Sequence, residues 1–451
     1  MKETHNPKSS LDRRGFIKAG TLATGAILLP DWMQASHHIS GDDTIKIGLI
    51  GCGGRGTGAA VQALSSGQNV KLVAMADAFR DRLDKSFENI ASQNYKDAKG
   101  KKVSGDQMVN VPEEQKFIGF DAYQKVLPLV DVVILATPPG FRPIHFEAAV
   151  NAGKHVFMEK PVAVDGPGVR RVLESAKVAK EKKLNVVVGL QRHYQKEYTE
   201  WVDRIHQGEI GDITTARVYW NSGGVWVRER EEDQSELEYQ MRNWYYFNWL
   251  CGDHITEQHI HNLDVGNWVM KAYPEKAYGM GGRRMRNGKD HGEIFDHHFV
   301  EFTYPDDRVM ISQCRHWQNT PNRVTESFIG TKGTAPRPGR LLDANGKRLM
   351  RYNAKKDESP YQIEHNVLFE AIAKGEYKFA DAENGAYASL TSIMGRMATY
   401  SGEVVSWEQA LNSEMILAPG LDNMSWNSDA PVQPKEDGSY HVPVPGVTKV
   451  Y

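Results

Sequence analysis

Six residues near the start of the chain, Gly51-Cys52-Gly53-Gly54-Arg55-Gly56, have the spacing of a loop that holds a dinucleotide. The first glycine of this G-x-G-x-x-G pattern permits a tight turn, the second lets the backbone approach a pyrophosphate, and the third lets a helix pack on a strand. Asp77 ends a second apolar run and is placed to bind the hydroxyls of an adenosine ribose, which favours NAD. Because Arg80 follows three residues later, NADP remains an alternative cofactor.

The loop needs a parallel sheet behind it, and the sequence predicts one. Apolar runs that read as strands cover 44–50, 70–76, 131–135, 155–158 and 183–189, and a helix is expected over 145–151. Strands that alternate with helices form parallel sheets with right-handed crossovers, so Thr137, Lys160 and Gln191 should gather along one sheet edge. The polar, lysine-rich segment 91–114 is expected to be a long surface excursion.

Three further motifs carry a family resemblance. They are Glu159-Lys160-Pro161, the segment Gly189-Leu190-Gln191-Arg192-His193-Tyr194, and the segment from Glu257 to Asp264, which has the form acid-x-x-x-His-x-x-Asp. With the glycine loop, they make the chain resemble the Gfo/Idh/MocA family of glucose-fructose oxidoreductases and inositol dehydrogenases over nearly everything after the N-terminal segment.

The resemblance implies an α/β protein with two domains. An N-terminal Rossmann domain would cover 44–190, and a C-terminal α/β domain built on an open, mostly antiparallel sheet would cover 191–420. Strand-like runs at 218–220, 299–304, 309–314 and 324–329 fit that sheet. A late helix at 383–400 is a candidate to pack back onto the first domain. Residues 421–451 read as an extended tail that either wraps a neighbouring subunit or stays mobile.

The same resemblance implies roles for individual residues. Oxidation of a secondary alcohol needs a group that takes the hydroxyl proton. Lys160 would contact both the substrate hydroxyl and the nicotinamide ribose, and His261 would abstract the proton. Asp264 would orient the substrate or His261, and Glu257 stands where many relatives have aspartate. The further expected cofactor contacts are Thr137, Pro138, Pro139, His145, Glu159 and Gln191, and the expected substrate contacts are Arg192, His193, Tyr194, Trp226 and Trp244.

A metal centre is the alternative interpretation of part of this segment. His254, Glu257 and His261 are spaced to share one face of a continuous helix. Hydride transfer with nicotinamide needs no metal, however, and the H-E-x-x-H pattern does not occur in this segment. No metal is therefore expected.

Composition and the N-terminal segment limit the partners and the cellular location that we expect. A net charge of −2 over 451 residues, without a basic block, makes nucleic acid an unexpected partner, and three scattered cysteines cannot form a disulfide framework. Arg13 and Arg14 precede an apolar run from Ala19 to Leu29 that is too short to span a membrane, so residues 1–35 are expected to be a twin-arginine export signal. A periplasmic location follows, and the family resemblance implies a homodimer or homotetramer.

An exported enzyme would need to keep its cofactor bound, because free NAD is not expected to be abundant outside the cytoplasm. Three functional hypotheses follow. The first is an NAD(P)-dependent oxidoreductase acting on a sugar, polyol or glycoside with a tightly retained cofactor. The second is a glycoside hydrolase that works by oxidation, elimination, hydration and reduction, with His193, Tyr194 or His261 as its further base. The third is a sugar-binding protein without turnover.

Overall fold

The structure, a computed structural model, describes residues 44–451, and it opens with a six-stranded parallel sheet. The elements of this first part are β1 (Ile45–Ile50), α1 (Gly54–Leu64), β2 (Val70–Asp77), α2 (Arg80–Ala91), β3 (Asn94–Lys96), β4 (Lys102–Ser104), α3 (Gly105–Met108), β5 (Lys116–Ile118), α4 (Ala122–Val126), β6 (Val132–Leu135), α5 (Arg142–Asn151), β7 (His155–Met158), α6 (Gly166–Glu181) and β8 (Val186–Val188). The strand order β5-β2-β1-β6-β7-β8 reverses at β1, where a crevice opens at the strand ends. Alternate residues along these strands fall into two apolar cores, one on each face of the sheet.

The rest of the chain builds a nine-stranded sheet. Its elements are α7 (Lys196–His206), β9 (Ile213–Ser222), α8 (Glu236–Arg242), α9 (Asn248–Cys251), α10 (His254–Glu257), α11 (Ile260–Met270), β10 (Lys276–Gly282), β11 (His297–Thr303), β12 (Val309–His316), β13 (Arg323–Gly330), β14 (Gly333–Arg337), β15 (Arg340–Asp343), β16 (Arg348–Arg351), α12 (Pro360–Ala373), α13 (Ala382–Ser401), β17 (Val405–Ser406) and α14 (Trp407–Asn412). Its order is β16-β15-β14-β13-β9-β12-β11-β10-β17, and only the β9–β12 pair is parallel. The expected Rossmann domain with a mostly antiparallel second sheet is confirmed.

Two late helices connect the two sheets. α12 packs against α1 and adds Leu368, Phe369 and Ile372 to the core of the first sheet. α13 packs against α6, and its Arg396 donates a hydrogen bond to the main-chain oxygen of Val164. The first domain is therefore completed by residues far along the chain.

Two segments differ from the sequence-based expectation. Residues 91–114 are more than a surface excursion, because they contain β3, β4 and α3 and bury Tyr95, Met108 and Val109. The tail lies on its own chain: Tyr440 is buried and donates a hydrogen bond to Glu236 at 2.6 Å. In both segments, buried apolar or aromatic residues hold an otherwise polar stretch of chain against the rest of the protein. Tyr95, Met108 and Val109 do so for 91–114, and Tyr440 does so for the tail. The predicted export signal lies outside the described residues.

Candidate active site

A cavity of about 670 Å³ lies at the carboxyl ends of the parallel strands, and the second domain supplies part of its wall. We call it the nucleotide cavity. Its wall includes, from the first domain, Gly51, Gly53, Gly54, Arg55, Asp77, Phe79, Arg82, Phe120, Tyr123, Thr137, Pro138, Pro139, Phe141, Arg142, His145, Glu159, Lys160, Gly189 and Gln191. From the later part of the chain it includes Trp220, Trp226, Arg228, Met241, Arg242, Trp244, Glu257, Gln258, His261 and Tyr361.

The glycine loop fits a dinucleotide for steric reasons. Gly51 has a φ of +96°, and a Cβ at this position would lie 2.4 Å from the main-chain nitrogen of Thr137. A Cβ on Gly56 would lie 1.9 Å from the oxygen of Gly51, so this glycine is needed for close packing of α1 on β1. Gly53 and Gly54, by contrast, have open space where a Cβ would be, and they begin α1. The helix N-terminus and its free N–H groups can therefore receive a pyrophosphate.

Asp77 ends β2 in the nucleotide cavity, as expected for a ribose contact. Its carboxylate accepts hydrogen bonds from the main-chain nitrogens of Cys52 at 2.6 Å and Phe79 at 2.9 Å, which fix its position. Arg80 does not line the cavity. It is held in exposed ion pairs with Asp84 and Glu113, and Arg82 is the arginine of this turn that reaches the cavity. The first turn of α2 points Arg80 away from the ribose end.

The edge of the cavity near Asp77 is covered by residues from both ends of the fold. Arg242 of α8 pairs with Asp81 at 3.3 Å and lies 4.1 Å from the ring centre of Phe79. Trp426 of the tail packs its ring 5.2 Å from Phe79 and 4.8 Å from Phe120. We call Phe79, Phe120, Arg242 and Trp426 the clasp. It ties the tail and the second domain to the first domain beside the nucleotide cavity.

Lys160 and Glu257 form a contact between the two domains inside the cavity. The Nζ of Lys160 donates to the main-chain oxygen of Glu257 and lies 3.2 Å from its Oε1. Burial raises the pKa of Glu257, and the charge of Lys160 opposes that rise. Lys160 follows β7 and Glu257 ends α10, so this contact brings together the Glu-Lys-Pro and acid-x-x-x-His motifs.

His261 lines the same cavity from the start of α11. Its side chain is buried, and its Nδ1 has no hydrogen-bond partner among residues 44–451. Burial lowers the pKa of His261 well below its usual range, and the nearby charge of Lys160 lowers it further. The imidazole is therefore neutral, so one of its two ring nitrogens carries a lone pair. Trp220 of β9 stacks on it, with ring centres 6.0 Å apart.

Asp264 and His193 lie together outside the cavity wall. Asp264 accepts hydrogen bonds from the Nε2 of His193 at 2.8 Å and from Asn384 at 3.2 Å, and it has no hydrogen bond to His261. His193 in turn stacks on Trp268 at 4.3 Å. The structure thus does not place Asp264 where it could orient His261 directly, because the next helical turn carries it behind the cavity.

Arg192 and Tyr194 are also turned away from the cavity. Arg192 is buried in an ion pair with Glu326 of β13, which also accepts from Tyr198 at 2.9 Å and Asn262 at 2.5 Å. Tyr194 donates to Asp381 at 2.6 Å. These side chains join the short helix at 191–194 to the second sheet and to α13, so their expected role as substrate contacts does not match their position.

The remaining predicted cofactor residues do line the cavity. The hydroxyl of Thr137 and the Nδ1 of His145 lie 3.1 Å apart, and burial lowers the pKa of His145 to about 3. Gln191 donates to the hydroxyl of Tyr361 at 3.2 Å. Pro138 and Pro139 complete this wall, beside the expected substrate residues Trp226 and Trp244, whose rings lie 5.9 Å apart.

Glu159 and Arg55 pair inside the cavity wall, and Glu364 of α12 lies behind them. Arg55 donates to Glu159 at 2.5 Å and approaches Glu364 at 4.0 Å. Burial, followed by the charge of Glu159, raises the pKa of Glu364 well above its usual range. Sequence reasoning missed Glu364 and Tyr361 because α12 was not expected beside the glycine loop. It also missed Gln258, although that residue directly follows Glu257.

The fold and the cavity together define a two-domain protein whose Rossmann domain is built to hold a dinucleotide. Two family models match the chain: the GFO/IDH/MocA oxidoreductase family model with an NAD-binding Rossmann fold covers residues 45–190, and the model of the family's C-terminal domain covers residues 198–335. The chain belongs to the GFO/IDH/MocA oxidoreductase family and carries its NAD-binding Rossmann domain.

Similarity to individual proteins is more distant. An inositol 2-dehydrogenase of Rhizobium meliloti is 24% identical over 51% of this chain and 56% of its own length. A glycosyl hydrolase family 109 protein of Shewanella baltica is 22% identical over 52% of this chain and 50% of its own length. The chain thus spans about half the length of these two curated relatives. The structure of scyllo-inositol dehydrogenase from Lactobacillus casei with NAD(H) and scyllo-inositol has a TM-score of 0.58 at 21% identity, covering 81% of this chain and 99% of that one, which supports the fold.

Proposed function

We propose that this chain is an NAD(H)-dependent oxidoreductase that moves a hydride between a secondary alcohol of a sugar, polyol or glycoside and nicotinamide. The observation that carries the proposal is the position of His261. A neutral histidine lines the same cavity as Lys160 and the glycine loop. Bound nicotinamide would accept or return the hydride, and the inositol dehydrogenase relatives support a polyol or sugar as the substrate.

The proton is handled by side chains that the structure brings together. The unprotonated ring nitrogen of His261 takes the hydroxyl proton as the alcohol is oxidised and returns it when the ketone is reduced. Lys160 donates a hydrogen bond to the same substrate oxygen, where its charge stabilises developing negative charge. Glu257 holds the Nζ of Lys160 in place from the second domain. Trp226 and Trp244 provide aromatic faces for the apolar side of a sugar ring.

We also propose that the cofactor is retained between turnovers. The clasp supports retention because it joins the first domain to α8 and the tail beside Asp77, where an adenosine would lie. Mass spectrometry of nucleotide released by acid from extensively dialysed protein tests this. About one equivalent of NAD per chain supports a retained cofactor. Protein that is free of nucleotide, but active with added NAD, shows that the cofactor dissociates.

A redox-neutral glycoside hydrolase is the second candidate, supported by similarity to the glycosyl hydrolase family 109 protein. It would need a base for the proton next to the transient ketone. Of His193, Tyr194 and His261, only His261 lines the cavity, so oxidoreduction ranks first. Incubation with a chromogenic glycoside in D₂O, without added cofactor, separates the two. Release of the aglycone with deuterium at C2 of the sugar identifies the hydrolase.

We propose separately that the enzyme is exported to the periplasm and forms a homodimer or homotetramer. Arg13 and Arg14 support export by the twin-arginine route, and retention of the cofactor would let the enzyme work in the periplasm. Fractionation of cells that express the full chain, with an Arg13→Lys, Arg14→Lys variant as the control, tests the location. Sedimentation of the purified protein tests the proposed homodimer or homotetramer.

A further inference from the structure

Three buried histidines lie beside Asp253, away from the nucleotide cavity. His254 begins α10, His298 lies on β11, and His316 ends β12. The ring of His254 has its centre 4.8 Å from that of His298 and 4.3 Å from that of His316. All three side chains and Asp253 are almost completely buried. The family motifs do not account for this group, which we call the histidine cluster.

One ring nitrogen of each histidine already has a fixed partner. The Nδ1 of His254 donates to the carboxylate of Asp253 at 2.8 Å, and the Nε2 of His316 donates to the amide oxygen of Gln258 at 2.9 Å. The Nδ1 of His298 lies 2.9 Å from the hydroxyl of Thr399. Because that hydroxyl donates to the main-chain oxygen of Arg396, it accepts from His298. Without an ion, each histidine therefore holds its N–H on a known side.

The other nitrogen of each ring has no hydrogen-bond partner within the described range 44–451. These atoms are the Nε2 of His254, the Nε2 of His298 and the Nδ1 of His316. A neutral imidazole that donates through one nitrogen presents a lone pair at the other. The Nε2 of His298 also lies 3.3 Å from the Oδ2 of Asp253. A lone pair facing a carboxylate oxygen is repulsive unless a proton or a metal cation lies between them.

The backbone at Asp253 adds an independent sign of constraint. Asp253 has φ +71° and ψ 163°, a conformation that is almost confined to glycine. Its carboxylate is held there by the main-chain nitrogen of Phe295 at 2.9 Å and the hydroxyl of Tyr400 at 2.5 Å. One ligand atom each from Asp253, His254 and His298 lies within 4.8 Å of the other two. Ligand bonds of about 2 Å span such a separation after small side-chain shifts.

We propose that Asp253, His254 and His298 bind a divalent transition-metal ion of the zinc type. The ion would take the place of the proton between the Nδ1 of His254 and Asp253, and the Nε2 of His254 would then donate to the Nδ1 of His316. Imidazole nitrogens with a carboxylate are suited to such an ion, and metal-bound histidines characteristically donate their second nitrogen to a carboxylate or other acceptor. The ion would join α10 to β11, and to β12 through His316. Because Glu257 ends α10 and Gln258 contacts His316, the ion would fix the part of the nucleotide cavity wall that holds Lys160.

Metal analysis of the untagged full chain, purified without chelator, tests the proposal. We expect about one equivalent of metal per chain and, after exchange, a visible ligand-field absorption with Co²⁺. His254→Gln and His298→Gln should lose both signals. His259→Gln is the matched control, because His259 is equally buried but both of its ring nitrogens have partners, Asn262 and Ser312.

The result that overturns the proposal is wild-type protein that neither contains nor takes up Zn²⁺ or Co²⁺ at this stoichiometry. In that case a proton on His298 satisfies Asp253. Retention of the full Co²⁺ spectrum by folded His298→Gln overturns it equally. If neither variant folds, X-ray absorption of the Co²⁺-loaded wild type decides, since imidazole ligands support the site and coordination by water and carboxylate alone contradicts it.

Discussion

Lys160 of the first domain holds Glu257 of the second domain by two atoms, the main-chain oxygen and the Oε1 at 3.2 Å. The contact fixes the position of the lysine at the point where the glycine loop and His261 share one cavity. If Lys160 also binds substrate, as proposed, its substitution changes both the reaction and the contact between the two domains.

Lys160→Met should remove turnover while leaving the nucleotide bound. The variant keeps an unbranched side chain of nearly the same length but has no amine to donate to the substrate oxygen, so we expect turnover to fall about 100- to 10,000-fold. The measurement is single-turnover reduction of the bound cofactor, with acid-released nucleotide counted in parallel. Arg80→Ala is the control, because Arg80 lies outside the cavity. Undiminished turnover in Lys160→Met would rule out the proposed role.

His261→Gln should lower the rate of the hydride step by a similar factor, because the unprotonated ring nitrogen that takes the proton is lost. The pH profile gives a second test. Since burial lowers the pKa of His261, the base stays neutral through the usual titration range of histidine. Activity limited by His261 should therefore fall only well below pH 6.5. A limb centred near pH 6.5 that disappears in His261→Gln would contradict the lowered pKa.

Asp264→Asn should be much milder than Lys160→Met. Asp264 contacts His193 and Asn384 instead of the cavity, so the change weakens a charge-assisted hydrogen bond without removing a group that touches substrate. We expect a loss of thermal stability of about 1–3 kcal/mol and less than a tenfold change in kcat. Thermal unfolding and steady-state kinetics measure the two effects. If folded Asp264→Asn lost as much kcat as Lys160→Met, Asp264 would have to take part in the reaction.

Removal of the clasp should release the cofactor. Arg242→Ala loses the ion pair with Asp81, the cation–π contact with Phe79 and a further ion pair with Glu238 inside α8. Trp426→Ala loses two aromatic contacts. Contacts of these kinds contribute about 0.5–1.5 kcal/mol each, so the double variant should lose nucleotide about tenfold faster or more. Dialysis followed by nucleotide analysis gives the rate. Arg80→Ala is again the matched control, and equal release from the control and the double variant would exclude the clasp.

Stability should fall as the pH falls below 6.5. Burial lowers the pKa values of His145, His259 and His365 to about 3. The unfolded chain protonates these groups near pH 6.5 and the folded chain does not, so the unfolded state binds more protons between about pH 6.5 and 3. Each contributes a loss of about 1.4 kcal/mol per pH unit in that window. Urea unfolding at several pH values measures how steeply the free energy of unfolding falls as the pH is lowered. His365→Gln removes one of the three groups, so it should lower this slope by about 1.4 kcal/mol per pH unit.

The local motifs were predictable from sequence because their causes are local. A glycine loop, apolar runs and the end of a strand determine where Gly51, Asp77 and Thr137 lie, and the structure places all three in the cavity wall. Lys160 and His261 were found through the family resemblance. The metal interpretation used the spacing of a continuous helix, whereas the chain breaks between α10 and α11, which separates His254 from His261.

The residues that sequence reasoning misplaced depend on distant partners. Arg192 lies away from the cavity because it forms an ion pair with Glu326 of β13, and His193 lies there because it is hydrogen-bonded to Asp264. Trp426 could not be assigned to the clasp without knowing that the tail folds back on its own chain. The histidine cluster likewise needs β11 and β12 to meet α10. Long-range pairing of this kind leaves no periodic signal in the sequence.

The return of α12 to the first sheet has a consequence for the order of synthesis. Leu368, Phe369 and Ile372 cover apolar surface on the glycine-loop side of the Rossmann domain, and Tyr361 of the same helix lines the nucleotide cavity. A nascent chain that has emerged from the ribosome only as far as β8 lacks these residues and leaves that surface exposed. This surface of the nucleotide-binding half can therefore be covered only after β9 to β16 and α12 have been translated.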